Sequence, residues 1–566
     1  MSKNTHWPRA FFLIANGSSE LAPGADRQTM GGKAFNLLEM ARLGLPVPAA
    51  LVIGTEYTFA PESCLLPLSA WGLPAMESAT GLKLGDERAP LVVSVRSGAP
   101  VSMPGMLETL LNVGLCDRTV QGLLRQTGNP RFVWDAYRRL VHLFGTVVAG
   151  IPDTAFEAAL DEVADGRDVR SLDFCEHRTL ARRNMDIYLS HTGKAFPQDP
   201  RDQLNAAVMA VFHSWDKPKA RHYRELNRIK DTMGTAVTIQ RMVFGNTGWH
   251  SGAGVGFTRN PTTGAPGLWM DYLINAQGED VVGGQRNAHG HLAMHQSAPQ
   301  AWAKLQEAAG RLEQHFKDMQ DLEFTVQDGD LFLLQTRAGK RTTKAAMRIA
   351  LDMLEEGLID RQQAIDRTRD IQEEDLVDHQ LIADGVKAPI PLAAADVACP
   401  GVVCGEVTLD PEVAQERARA GAPVVLVRSD ARTEDIAGLH VSVGLLTQRG
   451  ARTSHAAVVA RQLGKPCLVA CSGMRIDLAA RTIRFTDVVV REGDLITLDA
   501  NNGQVYLGQL SIEAIPDTAL VDGLRRLRGQ EQAPIPGQSG VHKPGKNHGK
   551  DQAKGKGERK HQGVQP

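Results

Sequence analysis

The segment of residues 450–471 contains one histidine, His455, which directly follows two hydroxyl residues. The apolar run Leu445–Thr447 predicts the end of a short buried strand, and Thr453 and Ser454 are both good helix N-caps. Small apolar residues then recur at helical spacing until a glycine ends the pattern. The sequence therefore predicts a strand followed by a helix that begins at His455.

This predicted helix start favours phosphate chemistry at His455. The unpaired amides and the positive dipole end of a helix N-terminus disfavour an imidazolium ion and favour an anion. We therefore expect the ring to stay neutral and nucleophilic, and a phosphoryl group bound to it to find hydrogen-bond donors nearby. A packed or capping histidine is the alternative when this segment is considered alone.

The composition excludes several classes of protein. The 566 residues are 42% hydrophobic with a formal net charge of -2, which predicts at least two domains and no specific nucleic-acid partner. Seven scattered cysteines without a CxxC pair predict free thiols, no zinc site and a reducing compartment. The early apolar run Phe11–Ala15 is too short for a signal peptide, and no stretch approaches a membrane span. We therefore expect a cytoplasmic protein without a membrane partner.

Patterns along the chain predict a multidomain protein of mixed α/β and α+β class. Residues 1–341 combine short strands with helices, and the stretch of about 115–230 predicts a helical insertion. A charged helical linker is predicted over 342–390, followed by a compact β/α domain over 391–510. Residues 511–566 predict a basic, low-complexity, disordered tail. Strands are predicted at 51–53, 91–95, 235–243, 254–258, 323–326, 331–335, 424–427, 443–446 and 467–470, with a hairpin over 495–507.

Six further blocks combine glycine turns with charged or amide side chains. They are GGKAFNL at 31–37, SVRSG at 94–98 leading into SMPGM at 102–106, GFTRNP at 256–261, NAQGEDVV at 275–282, MQDLEF at 319–324 and LQTR at 334–337. In this order, and with the segment around His455, they resemble the phosphoenolpyruvate-utilising enzymes and, within them, the pyruvate, phosphate dikinases. The resemblance covers most of residues 10–345 and reaches about residue 510.

This resemblance implies an ATP-grasp nucleotide-binding domain with a helical insertion and a swivelling phosphohistidine domain. It implies His455 as the catalytic, phosphate-carrying residue and a nucleotide site made of Lys33, Arg96, Asp321, Glu323, Gln335 and Arg337, with Glu323 and Gln335 as ligands of Mg²⁺. These residue types suit ATP cleavage, which needs cations along the triphosphate and a metal held by oxygen atoms. Taken singly, each is also compatible with an ordinary surface position. Arg259, Asn260 and Glu279 are left out of this set, because their motifs could hold a loop or the domain interface instead.

The resemblance also implies a reaction. ATP and inorganic phosphate would phosphorylate His455 and yield AMP and pyrophosphate, and the phosphoryl group would then pass to pyruvate to form phosphoenolpyruvate. In the family the second site is a C-terminal (β/α)₈ barrel, and the match ends just past Leu507, so we expect a separate barrel protein to supply it. A homodimer is also left open.

Two other functions remain open: a phosphohistidine carrier that serves another acceptor, and a non-catalytic ATP-binding remnant. Phosphoenolpyruvate synthases lack the phosphate acceptor step, and the blocks at 275–282 and 319–324 are more similar to the dikinases. Ala451 and Arg452 stand where the family usually has Gly and Met, which adds positive charge beside the phosphate. In the family, the position of Thr453 is a site of regulatory phosphorylation, and a plain N-cap is the alternative.

Overall fold

The computed structural model describes residues 8–15, 24–101, 103, 105–282, 290–382, 389–430 and 435–529. For Leu226, Val282 and His455 it describes the backbone but not the side chain. The strands of these residues form five sheets, with helices packed between and around them. This arrangement confirms the predicted class of mixed helix and sheet in several units.

The first two sheets are built from the N-terminal strands. These are β1 (Phe11–Ile14), β2 (Ala50–Ile53), β3 (Val93–Gly98), β4 (Thr109–Val113), β5 (Ala236–Arg241), β6 (Gly252–Arg259), β7 (Pro266–Ile274), β8 (Gln320–Gln327) and β9 (Asp330–Ala338). One sheet has the order β1-β2-β5-β3-β4 and the other β7-β6-β8-β9, and every pair is antiparallel. The strands predicted in this region are confirmed, with ends that differ by a few residues.

Thirteen helices accompany these strands in the described residues. They are α1 (Arg27–Met30), α2 (Gly32–Arg42), α3 (Leu65–Pro67), α4 (Leu73–Thr80), α5 (Asp117–Thr127), α6 (Pro130–Val147), α7 (Asp153–Ala164), α8 (Phe174–Thr192), α9 (Pro200–His213), α10 (Pro218–Leu226), α11 (Gly278–Val282), α12 (His291–Ser297) and α13 (Pro299–Phe316). Helices α5 to α10 fill the stretch in which a helical insertion was predicted.

The five-stranded sheet is buried on both faces, because side chains alternate along a strand. On β2, Leu51 and Ile53 join the core formed with the helical insertion. Ala50 and Val52 join a second core, which is shared with α2, α13 and the four-stranded sheet. The two sheets are thus held together through one continuous apolar core.

The predicted helical linker is only partly helical. Helices α14 (Thr343–Glu355) and α15 (Arg361–Arg367) are present, but strand β10 (Val377–Leu381) follows them. Residues 383–388 lie outside the described part of the chain. Alternation over five residues is too short a signal to separate a strand from a charged helix end, which explains the difference.

The third unit contains an eight-stranded sheet. The strands of this sheet are β11 (Ala393–Ala394), β12 (Asp396–Cys399), β13 (Val402–Thr408), β14 (Val424–Arg428), β15 (Gly444–Thr447), β16 (Cys467–Val469), β20 (Leu495–Asp499) and β21 (Gln504–Leu507). Three helices accompany it: α16 (Pro411–Arg419), α17 (Ile436–Val441) and α18 (His455–Gln462). A separate three-stranded sheet is formed by β17 (Met474–Asp477), β18 (Thr482–Phe485) and β19 (Val488–Arg491). Strands β13 to β16 run parallel, and apolar clusters cover both faces of the sheet. The predicted strands and the β20–β21 hairpin are confirmed.

The predicted disordered tail begins with ordered structure instead. Strand β22 (Ile512–Pro516) pairs with β10, and α19 (Thr518–Arg528) follows it. Leu520, Leu524 and Leu527 of α19 are buried against α14 and α15. The helical spacing of these leucines indicates a helix, but the prediction of disorder relied on the overall composition of the tail and overlooked this spacing. Residues 530–566 lie outside the described part of the chain.

Two expectations from composition can also be compared with the structure. All seven cysteines are free thiols, and only Cys175 among them is exposed. Among the described helices, none is both long enough and apolar enough to cross a membrane.

Candidate active site

A cavity of about 620 Å³ lies between the five-stranded and the four-stranded sheet. Five of the six residues predicted for the nucleotide site line it: Lys33, Arg96, Glu323, Gln335 and Arg337. They come from α2, β3, β8 and β9, so each sheet contributes to the walls. The volume is within the range of small-molecule and cofactor sites, and the cationic residues suit an anionic ligand.

Two glycines allow the turn before α2 to contact the end of β3 closely. Gly31 has a φ of +76°, and a Cβ atom there would lie 1.7 Å from the carbonyl oxygen of Gly98. The next residue, Gly32, donates its N–H to the carbonyl of Ala99 at 3.0 Å. The start of α2 is therefore pressed against the end of β3, which places Lys33 in the first turn of α2 beside Arg96.

Lys33 is the titratable cation of the cavity. Burial lowers the pKa of Lys33 to about 8, and the Arg96 guanidinium acts in the same direction, while Glu323 opposes both. Two cations held together at one cavity favour an anion between them. The arrangement fits the polyphosphate of a nucleotide.

Glu323 and Gln335 face each other across paired strands. Gln335 Nε2 donates to Glu323 Oε1 at 3.1 Å, and Arg96 Nη2 donates to Glu323 Oε2 at 3.4 Å. Gln335 Oε1 is buried and accepts no hydrogen bond from the described residues. No group of three or more His, Cys, Asp or Glu that could hold a metal occurs in the described residues. One carboxylate and one unused amide oxygen fit Mg²⁺ shared with ligand phosphates, which is how this ion commonly binds.

Asp321 lies outside the cavity lining. It is 2% exposed, and its Oδ2 accepts from Arg337 Nε at 2.7 Å. Burial raises the pKa of Asp321, while Arg337 opposes that effect. Asp321 therefore orients Arg337, whose guanidinium reaches the cavity, and has no wall position of its own.

Arg27 and Asn36 are among the polar cavity residues that the sequence reasoning missed. Asn36 Nδ2 donates to the carbonyl of Thr336 at 2.7 Å, and Asn36 Oδ1 accepts from Arg27 Nη2 at 2.9 Å. Arg27 and Asn36 both line the cavity. Asn36 belongs to the block at 31–37, so only its polar position on an otherwise apolar helix face could have singled it out. Arg27 carries no such signal.

The three residues left out of the predicted site have different positions. Arg259 donates to Glu313 on α13 and to Glu356 just after α14, so it joins two elements. Asn260 Oδ1 accepts two backbone N–H groups of the following turn and holds that loop. Glu279 does line the cavity, and burial raises its pKa.

The segment around His455 forms the predicted helix. Helix α18 begins at His455, whose side chain lies outside the described part of the structure. Ser454 is its N-cap, with Oγ accepting from the N–H of Ala457 at 3.4 Å. Thr453 is not the cap, which corrects one of the two predictions: it is 3% exposed, and its Oγ1 is buried without a hydrogen-bond partner in the described residues. Only one residue can occupy the N-cap position, and in this structure that residue is Ser454.

The loop before α18 rests on the four-stranded sheet beside the cavity. The N–H of Thr453 donates to Asp271 Oδ2 on β7 at 3.1 Å. In the sheet register, Val255 on β6 pairs with Asp271 on one side and with Glu323 on the other. Directly paired residues share a sheet face, and two strand spacings amount to about 10 Å. The start of α18 therefore docks on the same face that carries the cavity residues, close to them.

Two family models match the chain. Residues 75–298 and 294–358 match the model described as pyruvate phosphate dikinase, AMP/ATP-binding domain, and residues 421–503 match PEP-utilising enzyme, mobile domain. The fold and these matches therefore define a class of protein that combines a nucleotide-binding domain of the dikinase type, which is ATP-grasp-like, with a mobile domain of the PEP-utilising enzymes.

Relatives of known identity agree with this class. The chain is 42% identical over 542 residues to pyruvate, phosphate dikinase 1, chloroplastic, of Zea mays and 41% identical over 502 residues to pyruvate, phosphate dikinase of Clostridium symbiosum. These alignments cover 93% and 86% of the chain. The chain belongs to the pyruvate, phosphate dikinase family. It spans 57% of the length of each of these two relatives.

Proposed function

We propose that this chain performs the nucleotide half of a pyruvate, phosphate dikinase reaction. ATP and inorganic phosphate are the substrates, AMP and pyrophosphate are the products, and one phosphoryl group remains on His455. The observation that carries this proposal is the docking of the α18 start on the sheet face that also holds Glu323 and Gln335. This docking supports phosphoryl transfer from a nucleotide in the cavity to a histidine at the start of α18.

The cavity residues divide the work of phosphoryl transfer. Lys33 and Arg96 neutralise the polyphosphate. Arg337, which is held by Asp321, adds a third positive charge where negative charge shifts during transfer. Glu323 and Gln335 would hold Mg²⁺, which neutralises phosphate charge when bound. Catalysis of this kind rests mainly on positioning and electrostatics.

The attacking imidazole needs to be neutral. Its position at the start of α18, next to unpaired backbone N–H groups, disfavours the imidazolium form and supplies donors to the phosphoryl group that it receives. His455 nitrogen attacks the β-phosphorus of ATP, the bond between that phosphorus and the α-phosphate oxygen breaks, and AMP leaves. Inorganic phosphate then attacks the γ-phosphorus, the bond from the γ-phosphorus to its bridging oxygen breaks, pyrophosphate leaves, and the β-phosphoryl group stays on nitrogen.

The acceptor belongs to the same proposal. We propose pyruvate as the acceptor, bound to a separate barrel protein, in a cytoplasmic setting. The names of the relatives support pyruvate as the acceptor. A homodimer and regulation by phosphorylation of Thr453 are further parts of this proposal. The buried position of Thr453 would require α18 to leave the sheet before a kinase could reach it.

The first test measures products. Purified protein is incubated with Mg·ATP with and without inorganic phosphate, and AMP and pyrophosphate are separated by ion exchange. We expect up to one AMP per chain with or without inorganic phosphate, and pyrophosphate only when inorganic phosphate is present. Lys33→Met should abolish both products, while Lys304→Met, at an exposed position of α13, should not. Absence of AMP from the unaltered protein would refute the proposal and leave only a nucleotide-binding remnant.

The second test concerns the acceptor. Phosphorylated protein is mixed with pyruvate alone, and then with pyruvate plus a separately produced barrel. Phosphoenolpyruvate is expected only in the second mixture. Its formation by the chain alone would contradict the need for a partner, and discharge to a different acceptor but never to pyruvate would favour a phosphohistidine carrier.

A further inference from the structure

One arginine joins the loop before α18 to the four-stranded sheet. Arg452 Nη2 and Nε donate to Asp271 Oδ1 at 2.8 and 3.2 Å, and the N–H of Thr453 donates to Asp271 Oδ2 at 3.1 Å. Asp271 is 0% exposed in β7. Both oxygens of one buried carboxylate are therefore used by the two residues that directly precede the N-cap of α18.

Aromatic rings fix the direction of this contact. The Trp269 ring, two residues before Asp271 on the same face of β7, lies 4.8 Å from the Arg452 guanidinium and 5.3 Å from that of Arg461. Arg461 also lies 5.6 Å from the Phe257 ring and donates to the carbonyl of Arg452 at 2.9 Å. Guanidinium–ring contacts and hydrogen bonds together favour this orientation of the loop on the sheet.

We propose that Arg452 and Asp271 form a docking pair that positions α18 for phosphorylation of His455. Arg452 is a positioning residue here, because its guanidinium contacts Asp271, Met270 and Trp269 on β7. The inference rests on the function proposed above. Since Asp271 lies one strand beyond Val255 from Glu323, engagement of the pair sets how far the start of α18 stands from the cavity.

The pair depends on Arg452, a residue at which this chain differs from the usual sequence of the family that it resembles. A methionine at position 452, usual in the family, cannot donate to a carboxylate. Arg452 therefore adds strength to the docked state. The expected consequence is faster phosphorylation from ATP and slower departure of α18 toward the second acceptor.

The test compares four variants of the full chain. Arg452→Met removes the donor at similar length, Arg452→Lys keeps the charge, and Asp271→Asn keeps the shape of the acceptor. Arg449→Met is the matched control, because Arg449 is 57% exposed and its nearest acidic partner, Asp430, belongs to the same unit. Two quantities are measured: the single-turnover rate of His455 phosphorylation at saturating Mg·ATP, and amide exchange of residues 450–462, which reports docking without activity.

For Arg452→Met and Asp271→Asn we expect a rate about tenfold lower, as loss of one charge-assisted pair predicts, with faster amide exchange and unchanged ATP affinity. Arg452→Lys should recover part of both, and Arg449→Met should match the unaltered protein. Combining Arg452→Met with Asp271→Asn should cost little more than either alone.

Unchanged rate and exchange in Arg452→Met would overturn the inference, as would equal loss in Arg449→Met. A weakened ATP affinity would also overturn it, because the role would then lie in the cavity or in folding. Failure of the proposed function gives a different pattern: the unaltered protein shows no phosphorylation at all, while the exchange measurement still decides whether the pair docks α18.

Discussion

Nucleotide affinity should fall as Lys33 loses its proton. Lys33 is an exposed residue that lines an open cavity, and the surrounding walls still desolvate its ammonium and lower its pKa to about 8, with Arg96 as neighbour. Nucleotide phosphate favours the protonated form, so binding should return the pKa toward its ordinary value of about 10.4. As pH rises through 8, free protein therefore loses a proton that bound protein keeps, and this difference weakens binding.

The size of this effect follows from the two pKa values. With a free-protein pKa of about 8, roughly three quarters of Lys33 is protonated at about pH 7.5 and about one tenth at about pH 9. Linkage between protonation and binding then predicts an affinity about eightfold lower at the higher pH. Above the bound-state pKa the decline should stop.

The assay is titration calorimetry with ATP and a chelator, so that no metal ion alters the charge of the cavity. Lys33→Arg is the matched variant, because a guanidinium stays protonated over the whole range. Its affinity should be flat with pH whatever its absolute value. Constant affinity of the unaltered protein, or an equal decline in Lys33→Arg, would refute the assignment of the depressed pKa to this lysine.

Three further predictions concern other parts of the structure. Gly31→Ala should weaken ATP binding at least about tenfold, because its φ of +76° and the 1.7 Å approach to the Gly98 oxygen force the two loops apart; calorimetry measures this. Glu323→Gln should raise the Mg²⁺ concentration for half-maximal phosphorylation about tenfold or more and leave metal-free ATP binding intact, as a magnesium titration would show. Leu524→Ala, at a site 1% exposed, should destabilise the packing of α19 on α14 and α15 by about 2–5 kcal/mol, measured as a lower melting temperature of that transition. Unchanged values in any of the three would contradict the corresponding contact.

Local patterns predicted much of this fold. Alternating or continuous apolar runs located the strands around Val95, Val255 and Leu446, since burial of such runs depends on few neighbours. The helix start at His455 was predictable because a hydroxyl N-cap and apolar spacing act within one turn. Composition averaged over many residues was less informative. It hid the apolar stripe of α19 inside a polar tail and the strand β10 inside a charged linker.

The candidate site was predictable only in part, because side chains from distant segments meet there. Resemblance supplied Lys33, Arg96 and Glu323, and the structure places them around one cavity. It did not distinguish Asp321, which stands behind Arg337, from the residues of the wall. The resemblance also did not predict the contact of Arg452 with Asp271, because this contact depends on how the eight-stranded sheet lies against the four-stranded sheet.

Transfer of phosphate from ATP to one imidazole is the claim on which the account depends. The most direct measurement uses ATP labelled at either the β or the γ phosphate, with Mg²⁺ and inorganic phosphate, followed by peptide mapping under alkaline conditions that preserve phosphohistidine. We expect β label on the peptide that contains His455, γ label in pyrophosphate, and no labelled peptide from His455→Asn. Label on another residue, or label that persists in His455→Asn, would contradict it.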